Sequence, residues 1–308
     1  MLIKSPRGWE IPEREATPEN VYFNRRRFLH VLGAAGAGSL IASAAGTSPY
    51  PAKRNPKYEL DRPITEEWAA TGYNNFYEFT LNKEKVKDLV GPFQISPWKV
   101  AVTGLVNNPK TYDIDDLVKR MPLEERLYRH RCVEAWSMAV PWTGFPMSAL
   151  IKELDPKPQA KFIRMVTILD PKTMPGIRAY PQYPWPYFEA LRIDEAMNEL
   201  ALFVTGLYGK PLPKQNGAPF RIVLPWKYGL KSIKSIVKIE FTSSRPPTLW
   251  SQLQSDEYGW YSNVNPKKSH PRWSQAEEKV IPNMERRKTL MYNGYEKFVA
   301  GLYKDSDF

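Results

Sequence analysis

Proline sets the first limit on this chain. Twenty-nine of its 308 residues are proline, about twice the usual share of roughly 5%. Each lacks an amide hydrogen and clashes with the helical turn before it, so long uninterrupted helices, and bundles built from them, are excluded. The 10 Trp, 17 Tyr and 13 Phe provide ring surface for a core made of short strands and shaped loops. An apolar share of 42% beside 25% charged residues excludes wholesale disorder. No apolar run reaches the roughly 18 to 20 residues of a spanning helix, which excludes a multi-pass membrane protein.

Scarcity narrows the chemistry. One cysteine, Cys132, and three histidines, His30, His130 and His270, are present. One thiol makes no internal disulfide, and a Cys/His zinc site needs four ligands, or three plus water. Structural zinc, iron–sulfur clusters and a disulfide-stapled scaffold therefore have no material to form from. Metal or redox chemistry here has to come from a cofactor that asks the protein for few ligands.

Residues 24 to 30 read Asn-Arg-Arg-Arg-Phe-Leu-His, followed by a small, weakly apolar stretch from Val31 to about Ala45. Paired arginines ahead of Phe28 and Leu29, then this stretch, predict a twin-arginine export signal over 1–44, cut after Ala44 in Ala42-Ser43-Ala44. The mature protein is then expected in the periplasm, exported already folded. The glycines from Gly33 to Gly38 follow no strand and open no βαβ unit, so they do not make a dinucleotide-binding loop. The net charge of +11 stays mostly with the mature chain. No nucleic-acid-binding pattern accompanies it, so no nucleic acid is expected as partner; anionic cofactor groups, acidic partners or headgroups fit the positive field better.

Beyond the signal, residues 45–70 read as an extended arm rich in Pro, Lys, Asn and Tyr. Alternation predicts strands over Trp98 to Leu105, Lys161 to Leu169, Leu200 to Gly206, Phe220 to Leu224 and Ile233 to Phe241. Caps and apolar spacing predict helices over Asp113 to Met121, Pro146 to Leu154 and Tyr187 to Asn198. Leu127 to Glu134 reads as a strand delivering Cys132 near its end. After Ser244 the pattern breaks into Pro, Trp, Asn and Lys, which reads as an irregular segment over 244–308 wrapping the domain. No linker separates two cores, so the expectation is one α+β domain with mixed sheets, short helices and long irregular loops.

The segment from Arg126 to Met138 carries the chemistry. Arginines on both sides of Cys132 should lower its pKa and favour thiolate, the form that binds a soft metal. Two other readings stand beside metal ligation: an inert buried thiol, and a nucleophile with His130 or His270 as base. His130, two residues away on a strand, shares the face of Cys132.

Several separated strings then point one way. They are Asn-Asn-Phe-Tyr-Glu-Phe from Asn74, Arg-Cys-Val-Glu-Ala-Trp-Ser-Met from Arg131, Pro-Trp-Thr-Gly-Phe-Pro from Pro141, Gln-Asn-Gly-Ala-Pro from Gln215, Pro-Trp-Lys-Tyr-Gly from Pro225, Asp-Glu-Tyr-Gly from Asp256 and Asn-Gly-Tyr from Asn293. In these strings, from about Thr71 to its end, the chain resembles the molybdopterin-binding enzymes of the sulfite oxidase superfamily. Within them it resembles the catalytic subunits of periplasmic protein-methionine-sulfoxide reductases. The resemblance implies one sulfite-oxidase-type molybdopterin-binding domain with its core over 71–243. It implies a Mo-molybdopterin cofactor, one molybdenum with one pyranopterin, for which Cys132 is the single protein ligand and the catalytic residue.

By the same resemblance Asn74, Tyr77 and Glu78 form a first cofactor-contacting loop, and Thr167, Asn216 and Arg221 add contacts. Ser232, Ile233 and Lys234 form a backbone-and-lysine cradle. The chemistry of the side chains agrees: Arg221 and Lys234 can neutralise a pterin phosphate, and Asn74 and Asn216 can pair with ring heteroatoms. Each has a plainer reading too, with Arg221 as a solvated strand residue, Asn216 as a turn residue and Thr167 as packing. Trp136, Trp142, Trp185 and Trp226 read as core or pocket walls.

The implied activity is oxygen-atom transfer from methionine sulfoxide in oxidised periplasmic proteins. The implied partner is a haem-containing integral membrane subunit drawing on the quinone pool. No haem-ligand pattern or NAD fingerprint is present, so the electrons come from an external donor. The alternatives are a sulfite-oxidising enzyme, or another S- or N-oxide oxidoreductase, of the same superfamily and, from a different class, a non-catalytic periplasmic binding module.

Overall fold

The structure is a computed structural model and describes residues 48–304; the expected export signal over 1–44 lies outside the described residues. In chain order the elements are α1 (Glu67–Gly72), α2 (Val86–Leu89), β1 (Lys99–Gly104), β2 (Lys110–Asp113), α3 (Ile114–Arg120), β3 (Glu124–Arg131) and β4 (Trp136–Pro146). Next come α4 (Met147–Leu154), β5 (Phe162–Thr167), α5 (Pro175–Ala179), β6 (Phe188–Arg192), α6 (Ile193–Met197), β7 (Leu202–Leu207), β8 (Lys210–Pro211) and β9 (Arg221–Val223). The chain closes with β10 (Ile236–Thr242), α7 (Leu249–Leu253), β11 (Glu277–Val280), β12 (Glu285–Lys288) and α8 (Glu296–Val299). No helix among the described residues exceeds eight residues or is long and apolar enough to cross a membrane.

Two mixed sheets organise this α+β fold. One runs β2-β1-β10-β5-β6, with β1 and β10 parallel. The other runs β12-β11-β4-β7-β8, with β3 added to β4 and β9 to β7. Every residue of β4 from Trp136 to Phe145 is buried, and β3 pairs with one edge of the strand while β11 and β7 share the other. That burial on both faces erases the period-2 signal, and β4 carried no strand pattern in the sequence. Beside it, α3 follows its caps: the Asp113 carboxylate accepts the Asp115 amide at 3.0 Å, as an N-cap aspartate does.

Three sequence readings change. Tyr187 to Asn198 is not one helix; it divides into β6 and α6, with β6 pairing β5 through Phe162 and Arg192. β3 stops at Arg131, so Cys132 sits on the turn after the strand. The residues after Ser244 are more regular than their composition suggested: β11 joins β4 in the second sheet, and the Asn293 amide donates to Pro225 O at 2.8 Å. Further along, the Tyr303 hydroxyl donates to Glu195 Oε1 at 2.6 Å. At the other end, residues 53 to 55 run beside β3, where Asn55 N donates to Glu125 O at 2.8 Å and Arg54 pairs with the Glu125 carboxylate at 2.7 Å.

Candidate active site

The hairpin between β3 and β4 carries the thiol. Cys132 N donates to Trp136 O at 2.9 Å, and Ala135 N to Cys132 O at 3.1 Å. Ala135 closes the reversal at φ 62°, a left-handed conformation that costs an alanine energy and persists where its surroundings enforce it. The buried sulfur faces a partly open cleft lined by residues from several elements. Asn74, Tyr77, Glu78, Asn216, Arg221 and Lys234 line that cleft with Cys132. Residues up to 160 positions apart in the chain thus meet at one place.

The loop after α1 and the segment before β9 are tied together. The Asn216 amide donates to Asn74 Oδ1 and to Ala70 O, each at 3.0 Å. Arg221 opens β9 and is buried, not solvated; its guanidinium donates to Asn216 O at 2.8 Å and Ser232 O at 3.0 Å, and lies 5.0 Å over the Trp142 ring. Lys234 holds its ammonium 5.2 Å over the Phe76 ring. Its stem crosses Gly217, where φ is +93° and a Cβ would come within 2.7 Å of Lys234 carbons. Only glycine fits both the conformation and the approach.

Thr167, Ser232 and Ile233 do not line the cleft. They stand behind it: Thr167 Oγ1 donates to Lys234 O at 2.8 Å, Ser232 O receives Arg221, and Ile233 O receives the Ile222 amide at 3.1 Å. Their part is to fix the backbone from which the two cations project. Trp136 and Trp142 are cleft walls, while Trp226 is fully buried and donates to the Tyr303 hydroxyl at 2.7 Å. Trp185 donates to Tyr180 O at 2.8 Å.

Charge in the cleft is unbalanced. Burial lowers the Arg221 pKa to about 9. Burial, aided by Arg221 and opposed by Glu78, lowers Lys234 to about 8. His130 falls to about 3, through burial and then the neighbouring Arg221, Lys234 and Arg131, and is neutral. Burial raises Glu78, against the pull of Lys234. Neither Arg221 nor Lys234 makes a salt bridge among the described residues, and the buried acceptors Asn75 Oδ1 and Asn216 Oδ1 meet no donor. Buried charges and polar atoms left this way are costly, and a ligand with an anionic end and a donor-bearing polar ring would satisfy both.

Arg131 does pull the thiol down as the sequence suggested, but burial and a neighbouring carboxylate outweigh it. Arg131 is engaged by Glu278 at 3.2 Å and by Gln275 at 2.8 Å, and Arg129 by Asp61 at 2.8 Å. Burial and then the Glu134 carboxylate push Cys132 up to about 12. His130 lines the cleft but makes no hydrogen bond to the sulfur. His270 lines a neighbouring cavity, stacked on Trp273 at 3.8 Å. A thiol this weakly acidic beside an imidazole this weakly basic is no activated nucleophile pair. Among the described residues no three His, Cys, Asp or Glu side chains gather to hold a metal, so a metal at Cys132 would take its other ligands from a cofactor.

Sequence reasoning missed several lining residues. Asn75 and Glu134 contact the sulfur itself, and Tyr73, Tyr187, Leu230, Trp250 and Tyr258 complete the walls. Asn75, Glu134 and Tyr258 lie in the Asn-Asn-Phe-Tyr-Glu-Phe, Arg-Cys-Val-Glu and Asp-Glu-Tyr-Gly strings, the signal that could have found them. Trp250 stands in α7, beyond the last predicted strand.

Comparison with known proteins agrees with this geometry. Residues 88–250 match the family of oxidoreductase molybdopterin binding domains. The chain is 50% identical over 327 residues to the protein-methionine-sulfoxide reductase catalytic subunit MsrP of Burkholderia mallei, covering 100% of this chain and 98% of that one. It is 48% identical over 328 residues to the protein of the same name from Ralstonia nicotianae, with the same coverage. Among solved structures, the sulfane dehydrogenase SoxCD of Paracoccus pantotrophus aligns at a TM-score of 0.43 and 15% identity, over 90% of this chain and 67% of that one.

Proposed function

Because this chain belongs to the family of protein-methionine-sulfoxide reductase catalytic subunits, built on an oxidoreductase molybdopterin-binding domain, we propose that it reduces methionine sulfoxide in proteins, with one molybdenum on one pyranopterin and Cys132 as its protein ligand. One observation carries the reading: a lone buried thiol shares a cleft with two cations, Arg221 and Lys234, neither of which makes a salt bridge among the described residues. Arg221 and Lys234 would receive the anionic end of the cofactor. Asn216 and Asn74 would pair with its ring edge, and Cys132 would give up its proton on binding metal, which overrides the rise that burial causes.

When bound, the cofactor supplies the two-electron chemistry by which a sulfoxide, two electrons and two protons become a thioether and water. The chain's own contribution is shape and field. Tyr77, Trp250 and Tyr258 form an aromatic wall, with ring centroids 5.7 Å apart for Tyr77 and Trp250 and 4.9 Å for Trp250 and Tyr258. That wall suits the apolar arm and sulfur of a methionine side chain and keeps water from it. Glu134 and Lys83, paired at 3.1 Å, place a polar group beside Cys132.

The relatives are named catalytic subunits, and a haem-containing integral membrane subunit drawing on the quinone pool is the donor we assign. The twin-arginine pattern at Arg25 and Arg26 supports export to the periplasm with removal of 1–44. Changing both arginines to lysine should hold the protein in the cytoplasm, and undiminished export would refute the assignment. For the activity, the purified protein should contain molybdenum and pterin in equal amounts and reduce methionine sulfoxide in an oxidised protein with an artificial donor. Protein from a molybdenum-replete host with neither component, and no turnover, removes the proposal.

A further inference from the structure

The sulfur of Cys132 is not simply buried; it is held by donors. Asn75 Nδ2 lies 3.3 Å from Sγ, and the Glu134 backbone N–H lies 3.4 Å from it. The same Asn75 amide nitrogen donates to Glu134 Oε2 at 3.0 Å. Two acceptors on one side of the amide settle its orientation, since the flipped form would turn a carbonyl oxygen onto a carboxylate. Glu134 is itself fixed, by Lys83 Nζ at 3.1 Å and by Trp136 Nε1 at 3.3 Å.

These contacts form a closed set: Lys83 and Trp136 hold Glu134, Glu134 holds Asn75, and Asn75 reaches the sulfur. Asn75 comes from the loop after α1 and Cys132 from the β3–β4 hairpin, so the amide also links the two segments across the cleft. Hydrogen bonds to a ligating sulfur draw electron density from it and are a recognised lever on the potential of a thiolate-bound metal.

We propose that Asn75 is a positioning residue for the metal ligand: its side-chain N–H holds Cys132 Sγ and, by drawing density from the sulfur, sets the reduction potential of the metal bound there. This rests on the reading of Cys132 as the molybdenum ligand. The sign follows from the charge. A sulfur that donates less favours the more electron-rich, reduced metal, so the N–H raises the potential and its loss lowers it.

The test uses the loaded enzyme and two variants. Asn75→Leu removes the donor at similar volume, and Asn75→Asp keeps the shape while replacing the donor by a carboxylate. A potentiometric titration followed by the metal's paramagnetic signal should give a lower reduction potential for both, and the lower of the two for Asn75→Asp. A variant with an unchanged melting temperature but less molybdenum per protein also supports the proposal, because the ligand is then no longer held for the metal. Full loading with the parent potential in both variants overturns it, even if turnover falls, since Asn75 would then serve substrate alone. Absence of molybdenum from the parent protein would instead refute the functional reading on which the proposal stands.

Discussion

Four cations lie within fourteen positions of one another, from Arg221 to Lys234, three of them buried and Lys234 half-buried, and they are treated in two ways. Lys227 and Lys231 each meet a glutamate at 2.6 Å, Glu195 and Glu189, with all four side chains fully enclosed. Lys227 also donates to Tyr261 O and Asn263 Oδ1, and Lys231 to Ala190 O and Trp260 O. Those contacts staple residues 260 to 263 to β6 and α6. Arg221 and Lys234, on the cleft side, have backbone carbonyls and aromatic faces but no carboxylate in contact. A cation held in a buried salt bridge is part of the fold, whereas a cation at the cleft without one can receive an anion from outside.

The largest effect should come from breaking a pair. Glu195→Ala leaves Lys227 buried without its counter-charge and removes the acceptor of Tyr303, a change on the scale of about 3–5 kcal/mol. Chemical denaturation should show that loss equally with and without cofactor. A loss confined to the loaded protein would erase the distinction between the two groups of cations.

Replacing an unpaired cation should do the reverse. Arg221→Leu is expected to weaken cofactor retention by roughly 10- to 100-fold and to shrink the stability gained on loading. Dialysis followed by molybdenum analysis reads the first, and melting of loaded and cofactor-free protein the second. Retention equal to the parent would mean that Arg221 meets no anion.

A smaller effect is expected with pH. Lys234 falls from an ordinary 10.5 to about 8, chiefly through burial, and Arg221 from 12.5 to about 9. Between about 8 and 10.5 the unfolded chain therefore carries a proton at Lys234 that the folded, cofactor-free chain has lost. The cofactor-free protein gains stability from this residue as pH rises through that window and holds least of it below pH 8. An anion bound beside Lys234 keeps the proton on and flattens the dependence. The difference in melting temperature between loaded and cofactor-free protein should accordingly narrow from pH 8 upward; a difference that widens contradicts the assignment.

The same contrast shows what could be read from the sequence. Where a signal is local, it was legible: α3 from Asp113 and its apolar spacing, β1 and β5 from alternation, Cys132 from its solitude among 308 residues. Where it depends on enclosure, it was not. β4 is buried on both faces and shows no period, and Tyr187 to Asn198 joins a strand to a helix without a breaker between them. The bare strand residue Arg221 and its paired neighbour Lys227 look alike in sequence. Only their folded surroundings separate the one that lacks a carboxylate from the one that has it. Asn75 touches a sulfur 57 positions away, and no spacing rule reaches across a loop and a hairpin.

Molybdenum-edge X-ray absorption on the loaded protein and on Cys132→Ser measures the central claim most directly, because it counts sulfur neighbours of the metal. The expected result is one sulfur fewer at bonding distance in the variant, with the remaining sulfurs in place. An identical sulfur shell in the two proteins would show that the metal is held elsewhere and that Cys132 is only a buried thiol.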